Sequence, residues 1–489
     1  MKLKIKKFMV DAGRPVIFLH EKTAKKFDLH VGDKVEIKKN KKRIIAVLDI
    51  IMDFLHEGEI ALSRDILNYI SLNAGDIVEV NPIASSPSSL YIAKKMHGEK
   101  LNREEIYCIV KDIVSNLLTE SEIAYFVSAV YDRGFDMNET IYLTEAIYKT
   151  GNTLSWKNRN IADKHSIGGI PGNRTSPIVV SICAAAGLTI PKTSSRAITS
   201  SAGTADVMEV ITRVDFPEIE LQKIVNKTGG CLAWGGSLGL APADDKLIKV
   251  ERILNVDPES QLISSIIAKK LAVGSKYVLI DIPYGKGAKV SKSEGLRLKR
   301  KFLIMAKYFG MKMKVVLTLG NQPIGNGIGP VLEMIDILKV LKRSLGPIDL
   351  EKKSIFLAGQ LLEMLGKTKI GDGEKLAEKI LDSGEALKKF NEIINAQGRK
   401  NFKLVPAKFK KTIFSSKKGR IKEIDNKMIN NIGRKLGCPV DKRAGIYIYK
   451  HLGNKVNKGG EIITFYAEST TKLKDAISFY NLVRPIRIG

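Results

Sequence analysis

The 489-residue sequence lacks the features that define several common protein classes. Its four cysteines are scattered without a CxxC pair, which argues against a disulfide scaffold and a zinc site, and we expect reduced thiols. The six histidines show no ligand spacing, so no metal is expected. No apolar run approaches the roughly 18 residues of a transmembrane helix, and no signal-peptide pattern opens the chain. These absences predict a cytoplasmic protein without membrane association.

Acidic residues are scarce relative to basic ones. The chain carries 80 Lys and Arg against 52 Asp and Glu, a formal net charge of +28. Such an excess is compatible with nucleic-acid binding, which stays open as an alternative function. The basic residues are spread along the chain, however, and no helix-turn-helix, RNP or zinc-finger motif accompanies them. We therefore expect no specific nucleic-acid partner, and we interpret the charge as attraction for anionic metabolites.

Two familiar phosphate-binding motifs, GxxxxGK[ST] and GxGxxG, are absent, but two other segments are rich in hydroxyls and glycine. The first loop, KHSIGGIPGNRTS, spans 164–176, and the second, PKTSSRAITSSAGTADVMEV, begins at 191. Either alone is typical of a turn or helix cap. Hydroxyls and N–H groups at a turn that enters a helix also bind anions. Because the two loops are close in sequence, we predict one shared phosphate pocket.

The N-terminal residues 1–84 contain an internal repeat. LHVGDKVEI at 29–37 recurs as LNAGDIVEV at 72–80. Each copy predicts a Gly-Asp turn followed by an alternating strand, and two such halves predict a small β-barrel of the double-psi kind. We expect a packing or assembly role for this domain.

The rest of the chain mixes helical and strand patterns. Between about 90 and 150 the pattern is helical, and Asp136 with Glu139 predicts a capping box for a helix that Gly151 closes. A strand, an amphipathic helix and a second strand are predicted at 276–319. From about 408 onward the pattern indicates short strands and turns.

Taken together, the motifs resemble the thymidine/pyrimidine-nucleoside phosphorylase family. KHSxGG and TSSRAxTSxxGTADxxE carry the resemblance, and it continues through LISSIIAKKLAVG at 262–274, NQPIGNGIGPVLE at 321–333 and the segment 441–463. The sequence is most similar to an archaeal branch, the AMP phosphorylases, which carries an additional N-terminal domain.

The resemblance implies an α/β multidomain fold of the nucleoside phosphorylase type II kind. An α-helical lobe closes over a large α/β lobe in this family, and the protein forms a homodimer or a larger homo-oligomer. The implied domains are the β-barrel at 1–84, the α-helical lobe at 85–155 plus 240–273, the central α/β lobe at 156–239 plus 274–405, and a C-terminal α/β part of the large lobe at 406–489.

The implied reaction is phosphorolysis of AMP, and also of CMP and UMP, with phosphate as cosubstrate and no cofactor. The products are the base and ribose 1,5-bisphosphate. By resemblance Asp257 donates the proton to the leaving base, with its pKa raised by burial in a closed cleft. Asp257 followed by Pro258 is also the pattern of a helix N-cap with proline at N1, so a structural role stays open.

The resemblance also assigns the binding residues. Those expected to bind AMP or phosphate are Gly169, Ser195, Arg196, Ala197, Ile198, Thr199, Ser200, Thr204, Ser265 and Lys289. Further candidates for the phosphate or the base are Lys164, His165, Ser166, Ser176, Ser194 and Lys269.

Two departures from the pyrimidine-nucleoside pattern favour a nucleoside 5′-monophosphate as substrate. Val250 stands where those enzymes place a base-recognising arginine, and Lys286 and Lys289 lie where they are largely uncharged. A pyrimidine-nucleoside phosphorylase remains an alternative. So does a phosphoribosyltransferase similar to the anthranilate enzyme, although that family favours KHG where this chain has KHS.

Overall fold

A computed structural model gives the fold for residues 1–40, 42–83, 86–158, 160–197 and 200–489. The contacts divide the chain into two compact units, which comprise residues 1–150 with 242–264 and residues 151–241 with 265–489. Among the described residues, no helix is both long enough and apolar enough to cross a membrane.

The first unit begins with a closed six-stranded barrel, as the repeat predicts. Its strand order is β1-β5-β2-β4-β3-β6, in which β1 with β5 and β2 with β4 are the parallel pairs. The elements are β1 (Lys2–Ile5), β2 (Val16–His20), α1 (Glu21–Lys26), β3 (Lys34–Lys39), β4 (Lys42–Ile51), β5 (Glu59–Leu62), α2 (Arg64–Ile70) and β6 (Ile77–Pro82).

The sequence repeat explains the two similar halves of the barrel. Gly32 and Gly75 adopt φ of +94° and +90°, which glycine tolerates without strain. The aspartate after each glycine accepts a hydrogen bond from the N–H three residues earlier, at 2.7 Å in the first copy and 2.9 Å in the second. Equivalent turns therefore lead into equivalent strands, β3 and β6, whose alternate side chains fill the barrel core.

Four helices follow the barrel, and the predicted capping box is present. They are α3 (Ser88–Met96), α4 (Arg103–Val114), α5 (Glu120–Arg133) and α6 (Met137–Lys149). The Asp136 carboxylate accepts from the Glu139 N–H, and the Glu139 carboxylate accepts from the Asp136 N–H, both at 2.9 Å. The helix ends where Gly151 predicts, since Gly151 directly follows the C-cap Thr150, but Gly151 has no positive φ and so does not form the left-handed cap. A Cβ at Gly151 would lie 2.1 Å from the carbonyl oxygen of Leu240, so close packing excludes a side chain there.

The central segment alternates strands and helices. Its elements are β7 (Ala162–Ser166), α7 (Thr175–Ala185), β8 (Ile190–Ser194), α8 (Thr204–Met208), α9 (Glu218–Thr228), β9 (Gly230–Trp234), a 3₁₀ helix (Gly235–Leu238), α10 (Pro242–Leu254), α11 (Glu259–Ala272), β10 (Tyr277–Tyr284), α12 (Lys292–Tyr308), β11 (Lys312–Leu319), β12 (Gly327–Ile328), α13 (Pro330–Leu341), α14 (Ile348–Met364), α15 (Gly373–Asp382) and α16 (Glu385–Ala396).

Parallel strands set the position of the two hydroxyl-rich loops. One sheet has the order β11-β10-β7, another pairs β8 with β9, and a bridge between Ile161 and Thr189 links them. The predicted strand–helix–strand unit is confirmed as β10, α12 and β11, with β10 and β11 parallel along their whole length. The first loop follows β7 and the second follows β8. Because parallel strands end at a common edge, both loops emerge on the same side.

The last segment contains helices that the sequence analysis did not predict. Its elements are β13 (Phe409–Phe414), β14 (Gly419–Ile424), α17 (Asn426–Lys435), β15 (Gly445–Ile448), β16 (Lys455–Val456), β17 (Glu461–Ala467), α18 (Thr470–Val483) and β18 (Ile486–Ile488). Apolar side chains of α17 and α18 join those of the strands in one core. The expected strands and turns are therefore accompanied by two covering helices.

The two units divide the chain differently from the domains expected from the sequence. The barrel and the helices belong to one unit, in which Lys34 of β3 donates to Glu122 of α5 at 3.0 Å. Helix α10 packs against α4 and α5 in the same unit. The division falls inside α11, after Ser264, so the rest of this helix groups with the α/β unit rather than with the helical segment.

Candidate functional site

Lys164 lies inside the protein, in the middle of β7. Its side chain is 2% exposed, and its Nζ donates to the Thr175 hydroxyl at 2.8 Å. Thr175 is the first residue of α7, so this bond holds the cation at the N-terminus of an 11-residue helix. Burial lowers the pKa of Lys164 to about 7, against the opposing effect of Asp281. The protonation of Lys164 therefore changes near neutral pH and depends on the charges around it.

Asp281 is the buried anion with the largest electrostatic effect on Lys164, and the sequence analysis missed it. The sheet register pairs it with Ser166 of β7. Its carboxylate accepts from the Thr318 hydroxyl at 2.6 Å and lies 3.0 Å from the Nζ of Lys353. Burial acts to raise the pKa of Asp281, but Lys353 and Lys164 outweigh it and keep the pKa low. The sequence signal for a buried carboxylate was the single aspartate within the otherwise apolar strand VLIDIP.

His165 belongs to the opposite face of β7, beside a second buried ion cluster. On that face Asp163 accepts from Lys270 and lies 3.3 Å from the Nζ of Lys192. Burial, followed by Lys270, Lys192 and Lys269, lowers the pKa of the half-buried His165 well below its usual value. A neutral imidazole is the result, which can donate or accept a hydrogen bond but carries no charge.

Asp206 holds the second loop in shape. Its carboxylate accepts from the N–H of Ala197 at 2.7 Å and of Gly203 at 2.8 Å, and from Arg196 at 3.2 Å. A Cβ at Gly203 would lie 2.5 Å from the Ser195 carbonyl oxygen, so only glycine fits. The loop therefore folds back on the start of α8.

Arg196 is held by protein groups on several sides. Its guanidinium donates twice to Glu209, at 2.9 and 2.8 Å, and lies 4.7 Å from the Trp234 ring. Arg196, together with Lys442, lowers the pKa of Glu209 to about 2. These contacts give the arginine side chain a structural role within the loop.

The structure brings Gly169 and Lys289 together, two residues that the sequence assigned to AMP. Gly169 has φ of +90°, and a Cβ there would lie 2.8 Å from the Cγ of Lys289. The lysine stem thus packs directly over the glycine. Lys286 instead lies 2.8 Å from the Glu423 carboxylate, in an exposed ion pair.

Ser265 and Lys269 share one face of α11, as their spacing predicts. The Nζ of Lys269 donates to the Ser265 hydroxyl at 3.4 Å, and both residues are half-buried. The next residue, Lys270, is 1% exposed because it pairs with Asp163. The C-terminal half of α11 therefore lines the same ion cluster as β7.

Asp257 does not occupy the N-cap position that its sequence context suggested. Helix α11 begins at Glu259, and the carbonyl of Pro258 accepts the helical bond from the Leu262 N–H at 2.9 Å. Pro258 is thus the N-cap, and Asp257 precedes it. The Asp257 side chain is exposed, so the burial expected for a proton donor is not present in this structure.

The remaining predicted residues occupy varied environments. Ser176 and Thr204 are buried in the first turns of α7 and α8, Ser195 is exposed, and Val250 is buried on α10. Ser166, Ser194 and Ser200 are half-buried, and the hydroxyls of the last two donate to the Ala233 and Ala202 carbonyls, at 3.3 and 2.6 Å. Ile198 and Thr199 lie outside the described residues.

Arg174, in the first loop, is a buried residue that the sequence analysis did not identify. It precedes α7 and donates to the Thr204 hydroxyl at 3.0 Å, so it links the first loop to the second.

Over the residues that the structure describes, no group of three or more His, Cys, Asp or Glu could hold a metal ion. The four cysteines are free thiols.

Three protein-family models match the chain. They are described as the helical bundle domain of a glycosyl transferase family at residues 89–151, the a/b domain of a glycosyl transferase family at 158–387, and the pyrimidine nucleoside phosphorylase C-terminal domain at 420–484.

Curated relatives match over the full length. The AMP phosphorylase of Thermococcus kodakarensis is 46% identical, with 100% of this chain and 98% of the relative covered. That of Methanococcus aeolicus is 42% identical, with 99% and 97% covered. Among solved structures, the anthranilate phosphoribosyltransferase of Thermus thermophilus aligns with a TM-score of 0.53 and 19% identity, over 63% of this chain and 99% of that one. This last likeness concerns the fold alone.

The Asp281 carboxylate is expected to set the pH range in which Lys164 is charged. Asp281→Asn removes the anion that opposes the lowering of the Lys164 pKa, so this pKa should fall below about 7. Affinity for inorganic phosphate, measured by calorimetry between pH 6 and 9, should then decline at lower pH than in the wild type. The titration of phosphate itself is common to both proteins and cancels in the comparison.

Thr318→Val is the matched control, because it removes a hydrogen bond to Asp281 but keeps the charge. Its pH profile should follow that of the wild type. Identical profiles for Asp281→Asn and the wild type would contradict the assignment.

Proposed function

The chain belongs to the AMP phosphorylase family, and we propose that it catalyses the phosphorolysis of AMP to adenine and ribose 1,5-bisphosphate. CMP and UMP are proposed as further substrates. The observation that carries the proposal is the buried Lys164, which lies in the parallel strand β7 and donates to the first residue of α7. A cation at a helix N-terminus favours a dianion such as phosphate. We further propose a cytoplasmic homodimer or larger homo-oligomer.

Inorganic phosphate, in this proposal, binds between the two loops. Lys164 supplies the charge, and a bound dianion raises its pKa, so the ammonium form prevails in the complex. Hydroxyl groups of both loops orient the phosphate oxygens for attack on C1′. The proposed hydroxyl donors are Ser166, Ser176 and Thr204, together with Ser194 once its proton turns from the Ala233 carbonyl to the phosphate.

AMP binds through its own phosphate and its base. We propose that Lys289 pairs with the 5′-phosphate, since its stem is fixed over Gly169 and its ammonium supplies charge beside the first loop. The segment 195–200 holds the rest of the nucleotide. Ser265 and Lys269 face the base from α11.

The reaction exchanges one bond for another. A phosphate oxygen forms a bond to C1′ while the bond from C1′ to the base nitrogen breaks and its electron pair stays with the base. We propose that Asp257 gives its proton to the departing base. Because this side chain is exposed in the structure, the proposal requires that the bound nucleotide exclude water from it. No cofactor is proposed.

A pyrimidine-nucleoside phosphorylase is the second candidate, favoured by the C-terminal family match at 420–484. It would use the same loops for phosphate and would act on substrates without a 5′-phosphate. Lys289 and the buried Val250 favour the nucleotide over the nucleoside.

A base-release assay distinguishes the two candidates. The protein is incubated with and without phosphate on AMP, CMP, UMP, adenosine, uridine and thymidine. We expect phosphate-dependent release from the monophosphates, including adenine from AMP, and none from the nucleosides. Release confined to uridine or thymidine would instead support the second candidate.

Lys289→Ala should weaken AMP binding selectively. The loss of a charge-assisted contact is expected to raise KM for AMP about tenfold or more and to leave KM for phosphate nearly unchanged. Lys286→Ala is the matched control, because its ammonium pairs with Glu423 and should not contribute to either KM. An unchanged KM for AMP in Lys289→Ala would remove this lysine from the nucleotide site.

Asp257→Asn should retain nucleotide binding and lose most turnover. General acid catalysis contributes about 10²–10⁴-fold, so kcat should fall within that range while Kd for AMP stays close to the wild type. Glu259→Gln, which neutralises a carboxylate two residues away, should keep most of the activity. A near wild-type kcat in Asp257→Asn would remove Asp257 from the proposed reaction.

A further inference from the structure

Arg174 is a buried cation that contacts both loops. It is 8% exposed, and three of its nitrogens donate to protein oxygens. Nη1 donates to the Thr204 hydroxyl at 3.0 Å, Nη2 to the Ala202 carbonyl at 2.6 Å, and Nε to the Glu333 carboxylate at 2.6 Å. Three of the five N–H groups of the guanidinium are thus bonded to protein oxygens, and these bonds fix the orientation of its plane.

Arg174 connects the N-termini of two helices, α7 and α8. Its backbone is the N-cap of α7, so the next residue, Thr175, is the one that receives the Lys164 hydrogen bond. Its side chain reaches the second loop at Ala202 and at Thr204, the first residue of α8. One residue therefore fixes the distance between the lysine and the second loop.

Glu333 fixes the orientation of the guanidinium. It is 1% exposed on α13, and its other carboxylate oxygen accepts from the Gly329 N–H at 3.0 Å. Burial raises the pKa of Glu333, and Arg174 opposes this shift. A buried ion pair contributes little net stability, so a contribution to geometry is the better explanation for this one.

The bond to Thr204 has a chemical consequence for the hydroxyl. A threonine hydroxyl has one proton to donate and accepts through its lone pairs. Because its oxygen already accepts from Arg174, its proton points elsewhere and is available to an anion. The arginine thus selects the donor orientation of a hydroxyl that is proposed to bind phosphate.

We propose that Arg174 is a positioning residue that, held by Glu333, orients the Thr204 hydroxyl as a donor to inorganic phosphate. It acts through the Thr204 hydroxyl, without contacting the substrate. The proposal rests on the proposed function only in that phosphate binds between these two loops. The phosphate subsite then has two requirements: the positive charge of Lys164 and a Thr204 hydroxyl whose proton is directed at the phosphate.

The test is a double-mutant cycle on phosphate binding and kinetics. Arg174→Lys keeps the charge, but one ammonium cannot reproduce the planar fork, and Thr204→Val removes the hydroxyl at similar size. Each single variant should raise Kd for inorganic phosphate, measured by calorimetry, about tenfold. The double variant should bind no more weakly than Thr204→Val, because the arginine acts through the hydroxyl. KM for phosphate should rise likewise, with KM for AMP within about twofold.

Arg343→Lys is the matched control, since this arginine also pairs with carboxylates, Glu351 and Asp382, but contacts neither loop. It should leave phosphate binding unchanged. Additive effects in the double variant, or an unchanged Kd in Arg174→Lys, would overturn the proposal.

A substitute variant, Glu333→Gln, and calorimetry with phosphate alone complete the test. If Arg174→Lys does not fold, Glu333→Gln replaces it in the cycle and should show the same non-additivity with Thr204→Val. Calorimetry with phosphate alone does not depend on AMP turnover. Non-additive phosphate binding without phosphorolysis of AMP would uphold Arg174 and reject the proposed function, whereas a wild-type protein that binds no phosphate would overturn both.

Discussion

The burial of Lys164 is the constraint on which the α/β unit depends. A cation removed from water needs fixed partners, and the structure supplies Thr175 from α7 and the charge of Asp281 from β10. Asp281 is buried in turn and requires Thr318 from β11 and Lys353 from α14. Three strands and two helices are thereby coupled through one chain of polar contacts. A shift in any of them changes the electrostatic surroundings of the lysine.

The basic composition has a different meaning once these contacts are known. Several lysines that contribute to the net charge of +28 are buried in ion clusters, including Lys164, Lys192 and Lys270. Such groups cannot contact the backbone of a nucleic acid, but they create a positive potential inside the α/β unit. Arg174 adds to this potential, since it lowers the pKa of Lys164. The same cations that are costly to bury therefore make the interior receptive to an anion.

Local patterns predicted much of the fold, and long-range contacts explain what they missed. The barrel repeat, the Asp136 capping box and the strand–helix–strand unit depend on neighbouring residues, so the sequence was sufficient. Arg174 escaped notice because its partner Glu333 lies 159 residues away. Gly151 ends its helix without a left-handed cap, because the packing of the Leu240 carbonyl against it, not a positive φ, requires the glycine there. For the site, the loops and Lys164 were predicted from their motifs, but the groups that orient them were not.

The pairing of β1 has a consequence for the order in which the barrel assembles. This strand lies between β5 and β6, with Lys4 opposite both Glu59 and Ile77, although it comes first in the chain. Strand β1 therefore has no partner until β5 has followed it in the chain, and its second edge stays unpaired until β6 is present. Loop closure over such separations is slow, and the barrel is expected to form late, in a single cooperative step. During that interval β1 is an open edge, and its lysines at alternate positions discourage pairing with other chains.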